Sequence, residues 1–261
     1  RTIRNERERR TTAMLTPFMP CGAKIPVIAL FAGAFFADAW WVSATMYLVG
    51  IVLVLLGALL VKRITGQKYR KSFFIIELPE YKSPNARTIA IYVWEKIKDY
   101  LTKAGTVIFV ASVIMWVLLN FGPTGYVTDI GASFGAWIGK AIVPVFTPLG
   151  LGYWQIVVAL IAGIAAKEVV VSSCSVLFGI QNITTSHGMT AMAATLGSMG
   201  FGATNAYALM VFCLLYIPCT ATIATIRRET ESRRLTACFV CFQFAVAWVM
   251  SFLVYHIGLL L

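Results

Sequence analysis

The chain has 261 residues, 59% of them apolar and only 13% charged, with a net charge of +11 and a mean hydropathy of +0.79. Soluble domains carry about 25% charged and about 45–50% apolar residues, so a disordered chain, a collagen and an ordinary soluble enzyme are excluded, and a polytopic membrane protein is indicated. The six cysteines lack a short secreted framework and give no disulfide argument.

Residues 1–10 form a first basic block of five Arg and two Glu. Apolar stretch A follows over about 12–36 and is interrupted by Pro17, Pro20, Gly22 and Pro26. Stretch B (40–60) opens on Trp40 and Trp41, stops at Lys62–Arg63 and is the cleanest spanning helix. Residues 62–103 carry ten Lys/Arg and four acids, the second basic block. Within it, 88–105 places Ile91, Trp94, Ile97 and Leu101 at helical spacing, which predicts a helix lying in the membrane interface. Stretch C (104–121) ends at Gly122–Pro123, and an apolar segment follows at 130–150. Stretch D (153–180) has 28 residues. That is about 42 Å of continuous helix against a hydrocarbon core of about 30 Å, so D is tilted, broken or half of a hairpin. Stretch E (203–226) leads into the third basic block, 227–234, and stretch F (235–261) closes the chain.

These three blocks hold the whole net charge; the six remaining charges, Lys24, Asp38, Asp129, Lys140, Lys167 and Glu168, cancel. Basic blocks that punctuate long apolar runs follow the positive-inside pattern of cytoplasmic loops, and a nucleic-acid partner is not expected. With the blocks inside, A and C run outward, B and E inward, F outward, and 130–180 makes no net crossing. The expected fold is therefore an all-α, polytopic transmembrane bundle with broken or re-entrant helices, embedded in lipid. Its expected units are 1–61 (a broken helix plus a spanning helix), 62–103 (a cytoplasmic loop with an interfacial helix), 104–226 (a second membrane region) and 227–261 (a basic loop with a closing helix). The charged opening and the lack of a signal peptide are expected of the C-terminal part of a longer or split membrane protein.

Two segments resemble each other, PFMPCGAKI (17–25) and LYIPCTATI (215–223), and they lie on stretches that cross in opposite directions. A broken helix repeated in inverted orientation points to a transport site near the bilayer midplane. Pro20 and Pro218 lack N–H groups, so the carbonyls of Thr16 and Leu214 are expected to lose their helical donors. Free backbone oxygen at that depth needs protein or water around it. Beside each break stands a thiol, Cys21 or Cys219, and thiolate with carbonyl oxygen suits a borderline-soft divalent metal. The competing reading is a proline kink with a small filler residue.

Lys167 and Glu168 sit near the middle of D, where ionised groups cost roughly 2.5–3.5 kcal/mol each on insertion scales. Neighbours on a helix do not face each other, so each needs its own partner or D is unwound there. Ser172 and Ser175 follow on the Glu168 face, and Lys24 either snorkels or pairs with an acid. Cys238 and Cys241 read as packing residues, Cys213 as filler, His187 and His256 as unrelated, and Glu77 as a docking or solvated loop acid. No P-loop, HExxH or GxSxG signature is present, so no enzymatic activity of the chain itself is expected.

At TPFMPCGAKIPVIALFAGAFF the sequence resembles the ferrous-iron transporter B (FeoB) family. The likeness continues in family order through FFIIELPEYKSP, VWEKIKDYLTKAGTVI, GKAIVPVFTPLG, GIAAKEVVVSS and VFCLLYIPCTATIATIRRE. The resemblance implies a bacterial or archaeal inner-membrane permease with paired Gate (nucleoside-recognition-like) regions. It implies Fe2+, Fe(II), as the transported substrate, and GTP with Mg2+ bound only by an N-terminal GTPase domain. Partners would be that domain or N-terminal half and small cytoplasmic Feo accessory proteins. It carries Cys21, Glu168 and Cys219 over as iron-pathway residues, with Lys24, Lys167 and Ser172 in support. A nucleoside or organic-solute symporter and a non-transporting membrane scaffold are the alternatives.

Overall fold

In the computed structural model the described residues are 6–36, 40–65, 85–123, 125–127 and 130–260; Glu77 and the middle of the second basic block, 66–84, lie outside them. Helix α1 (Glu6–Leu15) gives way to two short 3-10 turns, Thr16–Phe18 and Gly22–Lys24, before α2 (Ile25–Phe35). Pro17 sits at the start of the first turn, and Pro20, which has no donor, stands between the two turns. The Thr16 carbonyl is nevertheless satisfied, because the tighter turn brings the Met19 N–H to it at 3.1 Å. The expected loss of its donor is thereby corrected.

Helix α3 (Trp40–Thr65) is the expected spanning segment and leaves Leu48, Leu55 and Leu59 exposed to lipid. Gly50 of α3 faces the first break: a Cβ there would lie 3.1 Å from the Pro20 ring, so the missing side chain permits the close approach. Helix α4 runs unbroken from Ala86 to Asn120, 35 residues, with the Asn85 side chain accepting from the Arg87 N–H at its start. The expected interfacial helix and stretch C are thus one helix, and the expected boundary at 103/104 falls inside it. Gly105 is the one weak position near the junction, and a single mid-helix glycine costs only about 1 kcal/mol. At 1.5 Å per residue, α4 rises about 52 Å and outreaches the hydrocarbon core.

Helices α5 (Phe134–Phe146) and α6 (Trp154–Ala165) meet at 101°, a broken span or a re-entrant turn. Helix α7 (Val169–Phe178) starts after three non-helical residues and packs back along α6. Stretch D is therefore a helical hairpin with Ala166, Lys167 and Glu168 at its tip. Helix α8 (Ser186–Ser198) then packs on α2, and the second broken helix follows as α9 (Ala203–Leu215) and α10 (Thr220–Thr230). Helix α11 (Arg233–Leu260) closes the bundle against α9.

The core centres on α9, whose residues from Ala208 to Leu215 are all buried. A helix apolar on every side is stable only when surrounded, and α2, α3 and α11 supply that surround. Helix α2 packs on α9 while α1 packs on α10. The first half of one broken helix thus meets the second half of the other, so the two lie antiparallel. This pairing also brings the described part of the first basic block, 6–10, and the third block to the same end of the bundle. Single cysteines placed at the exposed Thr184 and Arg228, in a background with the native thiols replaced, are expected to label from opposite sides of the membrane. Labelling from the same side would remove the proposed crossing of α9–α10.

Candidate functional site at the helix breaks

Among the backbone oxygens that the first break leaves outside helix bonding are those of Pro17 and Met19. The Lys24 ammonium takes both, Nζ donating to Pro17 O at 2.9 Å and to Met19 O at 3.1 Å. Lys24 is only 3% exposed. It does not snorkel, and among the described residues it pairs with no acid, so that expectation is corrected: the chain folds over the lysine, and the break itself provides the acceptors. Cys21 lies between the two 3-10 turns with extended backbone, and its side chain is exposed.

The hairpin tip carries the second buried ammonium. Lys167 is 5% exposed, and its Nζ stands 4.2 Å from the centroid of the Tyr216 ring. That is cation–π geometry. Among the described residues Lys167 Nζ has no hydrogen-bond partner, and neither has the buried Tyr216 hydroxyl. Gly163 makes this possible, since a Cβ there would overlap the Tyr216 hydroxyl and Val170. Glu168, next in sequence, is exposed at the same tip, and among the described residues no ion pair joins it to Lys167. The unwound alternative for Lys167–Glu168 is the one observed. Ser172, one turn further, is also exposed, whereas Ser175 donates to the Ile180 carbonyl near the end of α7.

The second break spans Tyr216–Cys219, after the fully buried Leu214. It is fastened to the hairpin by the Thr220 hydroxyl, which donates to Ala165 O at 3.0 Å. Cys219 is half-buried, with Sγ 3.3 Å from Thr222 Oγ1. In the alignment of the two repeats Phe18 matches Tyr216, Cys21 matches Cys219 and Lys24 matches Thr222. The two breaks and the hairpin tip form one region: the Thr16–Phe18 turn of the first break packs on α9, whose end opens the second break, and Thr220 and Tyr216 of that break meet the hairpin through Ala165 and Lys167.

The structure thus brings together Cys21, Cys219, Lys24 and Lys167 beside Pro20 and Pro218, and leaves Glu168 exposed next to Lys167 at the hairpin tip. Among the described residues, no group of three or more His, Cys, Asp or Glu is close enough to hold a metal ion. Cys213 is buried filler as expected, but Cys238 and Cys241 are exposed on α11 and face outward. Their expected packing role within the chain is corrected: α11 turns Phe239, Gln243, Ala247 and Ser251 inward instead. Tyr216 and Thr220 were not among the expected site residues. The aromatic position shared by the two repeats was the available signal for Tyr216.

Two families match the chain: one described as nucleoside recognition (Gate), over residues 101–233, and one described as ferrous iron transport protein B C terminus, over 44–96. The chain is 40% identical over 99% of its length to the Fe(2+) transporter FeoB of Staphylococcus aureus (strain COL), covering 38% of that protein. It is 36% identical over its whole length to the Fe(2+) transporter FeoB of Methanocaldococcus jannaschii, covering 39%. A fusion of Fe(2+) transport protein A with Fe(2+) transporter FeoB from Porphyromonas gingivalis is 32% identical, with 36% covered. The chain therefore spans well under half the length of these relatives. No solved structure matches it significantly.

Proposed function

The chain belongs to the ferrous-iron transporter B family, as a multi-pass C-terminal membrane part, and from that premise we propose that it is the permease portion of a GTP-dependent Fe(II) importer. The observation that carries the reading is the antiparallel pairing of two broken helices, each with a Pro–Cys pair at its break. Inverted broken helices are a recurrent way to build a substrate site at the bilayer midplane. Fe(II) would pass Cys21 and Cys219, with carbonyl oxygens of the first break and the Glu168 carboxylate as harder ligands. Lys24, Lys167 and Ser172 would support the path.

Thiols alone favour copper or zinc over iron, which lies low in the affinity order. A mixed set of soft thiolate and hard oxygen that never closes around the ion suits a weakly held, transiting Fe(II). GTP and Mg2+ would act on an N-terminal domain, and an A-type accessory protein is a candidate partner because one relative carries it as a fusion. The test is uptake of labelled Fe(II) by the native-length protein containing this chain, in cells lacking other Fe(II) importers. Uptake well above empty membranes is expected. Uptake of a labelled nucleoside in place of iron would overturn the reading in favour of a solute carrier.

A further inference from the structure

Resting on that iron-permease reading, we propose that Lys24 is a tethered competitor of the transported cation. Its ammonium occupies the backbone oxygens that an ion at the first break would use, and Fe(II) gains the site by displacing it. The geometry is specific. Pro20 interrupts the helix and leaves the Pro17 and Met19 carbonyls without helical donors, and both are held by Lys24 Nζ, at 2.9 and 3.1 Å.

A buried lysine that serves only as a staple ordinarily meets a carboxylate, because an ammonium in a low-dielectric interior needs an opposite charge. Among the described residues no acid pairs with Lys24, and the oxygens it holds are neutral. These are the ligands a hard cation seeks, and they lie two and four residues from the Cys21 thiol. The second break repeats the arrangement with different parts: the Lys167 ammonium rests on the Tyr216 ring face, with no hydrogen-bond acceptor among the described residues. Each break thus has a tethered cation in its cation-attracting position. Lys24 and Lys167 are both buried in the region where the breaks and the hairpin tip meet. A dication added between them, with both ammonium groups in place, would meet repulsion that the low-dielectric surroundings screen poorly. The lysine therefore has to swing off its carbonyls as the ion binds, and the closed arrangement refills itself once the ion has left.

The experiment follows alkylation of Cys21 by a maleimide in membranes carrying the native-length protein, under anaerobic conditions, with increasing Fe(II). In the parent, Fe(II) is expected to protect Cys21. Protein held partly in a competitor-filled state binds with an apparent affinity reduced by the fraction that is free. Lys24→Met and Lys24→Gln, which remove the charge, are therefore expected to lower the Fe(II) concentration for half-protection about threefold to tenfold. Lys24→Arg, which keeps a cation, is expected to stay near the parent. An unchanged or raised half-point in the neutral variants would overturn the proposal while leaving the iron reading intact. Failure of both neutral variants to reach the membrane would overturn it as well, by making the ammonium a requirement of folding. Absence of protection in the parent would instead remove the iron ligand Cys21, and the proposal with it.

Discussion

Serine at Cys21 or at Cys219 is expected to lower Fe(II) uptake roughly tenfold or more while the protein reaches the membrane at its normal level. Loss even of an outer partner of a metal ligand typically costs about 10–100-fold in affinity or activity, and a ligand itself should cost no less. The substitution changes little besides the sulfur. Cys21 is exposed in the break, so no core contact is lost. Cys219 is half-buried with Thr222 Oγ1 3.3 Å away, a contact that a serine hydroxyl can keep as a hydrogen bond. What disappears is the proposed soft ligand, since an alcohol is not ionised at neutral pH and binds Fe(II) poorly. Cys238→Ser is the control, being exposed on α11 and far in sequence from both breaks. Uptake is measured per unit of membrane protein. Equal losses at all three positions would mean a general sensitivity of folding and would remove the thiols from the path.

The two breaks were readable in the sequence because their cause is local. A proline without an N–H ends a helical ladder wherever it stands, and Pro20 and Pro218 do so in matching contexts. The opposite direction of the two stretches was readable too, from basic blocks that the pairing of α1 with α10 brings to one end. The partners of the lysines were not readable. Lys24 meets the Pro17 oxygen seven residues back, a separation at which no regular helix brings two groups together, so only the break makes the contact. Lys167 meets Tyr216 across the fold, and that depends on stretch D being a hairpin rather than a tilted span. Length and charge left D undecided among three shapes, because each relieves the mismatch between 28 residues and the bilayer. The fusion of stretch C with the preceding amphipathic helix was hidden for the opposite reason. A change from charged to apolar residues resembles a boundary, yet nothing around Gly105 is strong enough to stop a helix.

Glu168→Gln is expected to reduce Fe(II) uptake to a small fraction of the parent while leaving folding untouched. The amide keeps the volume and removes the charge, and the side chain is exposed at the hairpin tip, so no buried contact depends on its ionisation. A carboxylate at membrane depth persists by facing the bundle interior, a partner or water. Here the structural partner nearest in sequence, Lys167, is engaged with Tyr216 instead, and among the described residues no ion pair holds the acid. Its position next to Lys167 at the hairpin tip gives it a distinct electrostatic task. Fe(II) approaching Lys24 and Lys167 meets repulsion, and one nearby negative charge offsets part of it while offering a hard oxygen ligand. Removing that charge leaves the approach to the breaks positive, so the loss should appear as a raised Fe(II) concentration for half-maximal uptake as well as a lower rate. Lys167→Met provides the contrast, because it removes repulsion and keeps the carboxylate. It should therefore not reproduce the Glu168→Gln defect. Parent-level uptake by Glu168→Gln, with an unchanged half-saturation, would leave Glu168 as a solvated acid at the turn and confine the path to the thiols and carbonyls.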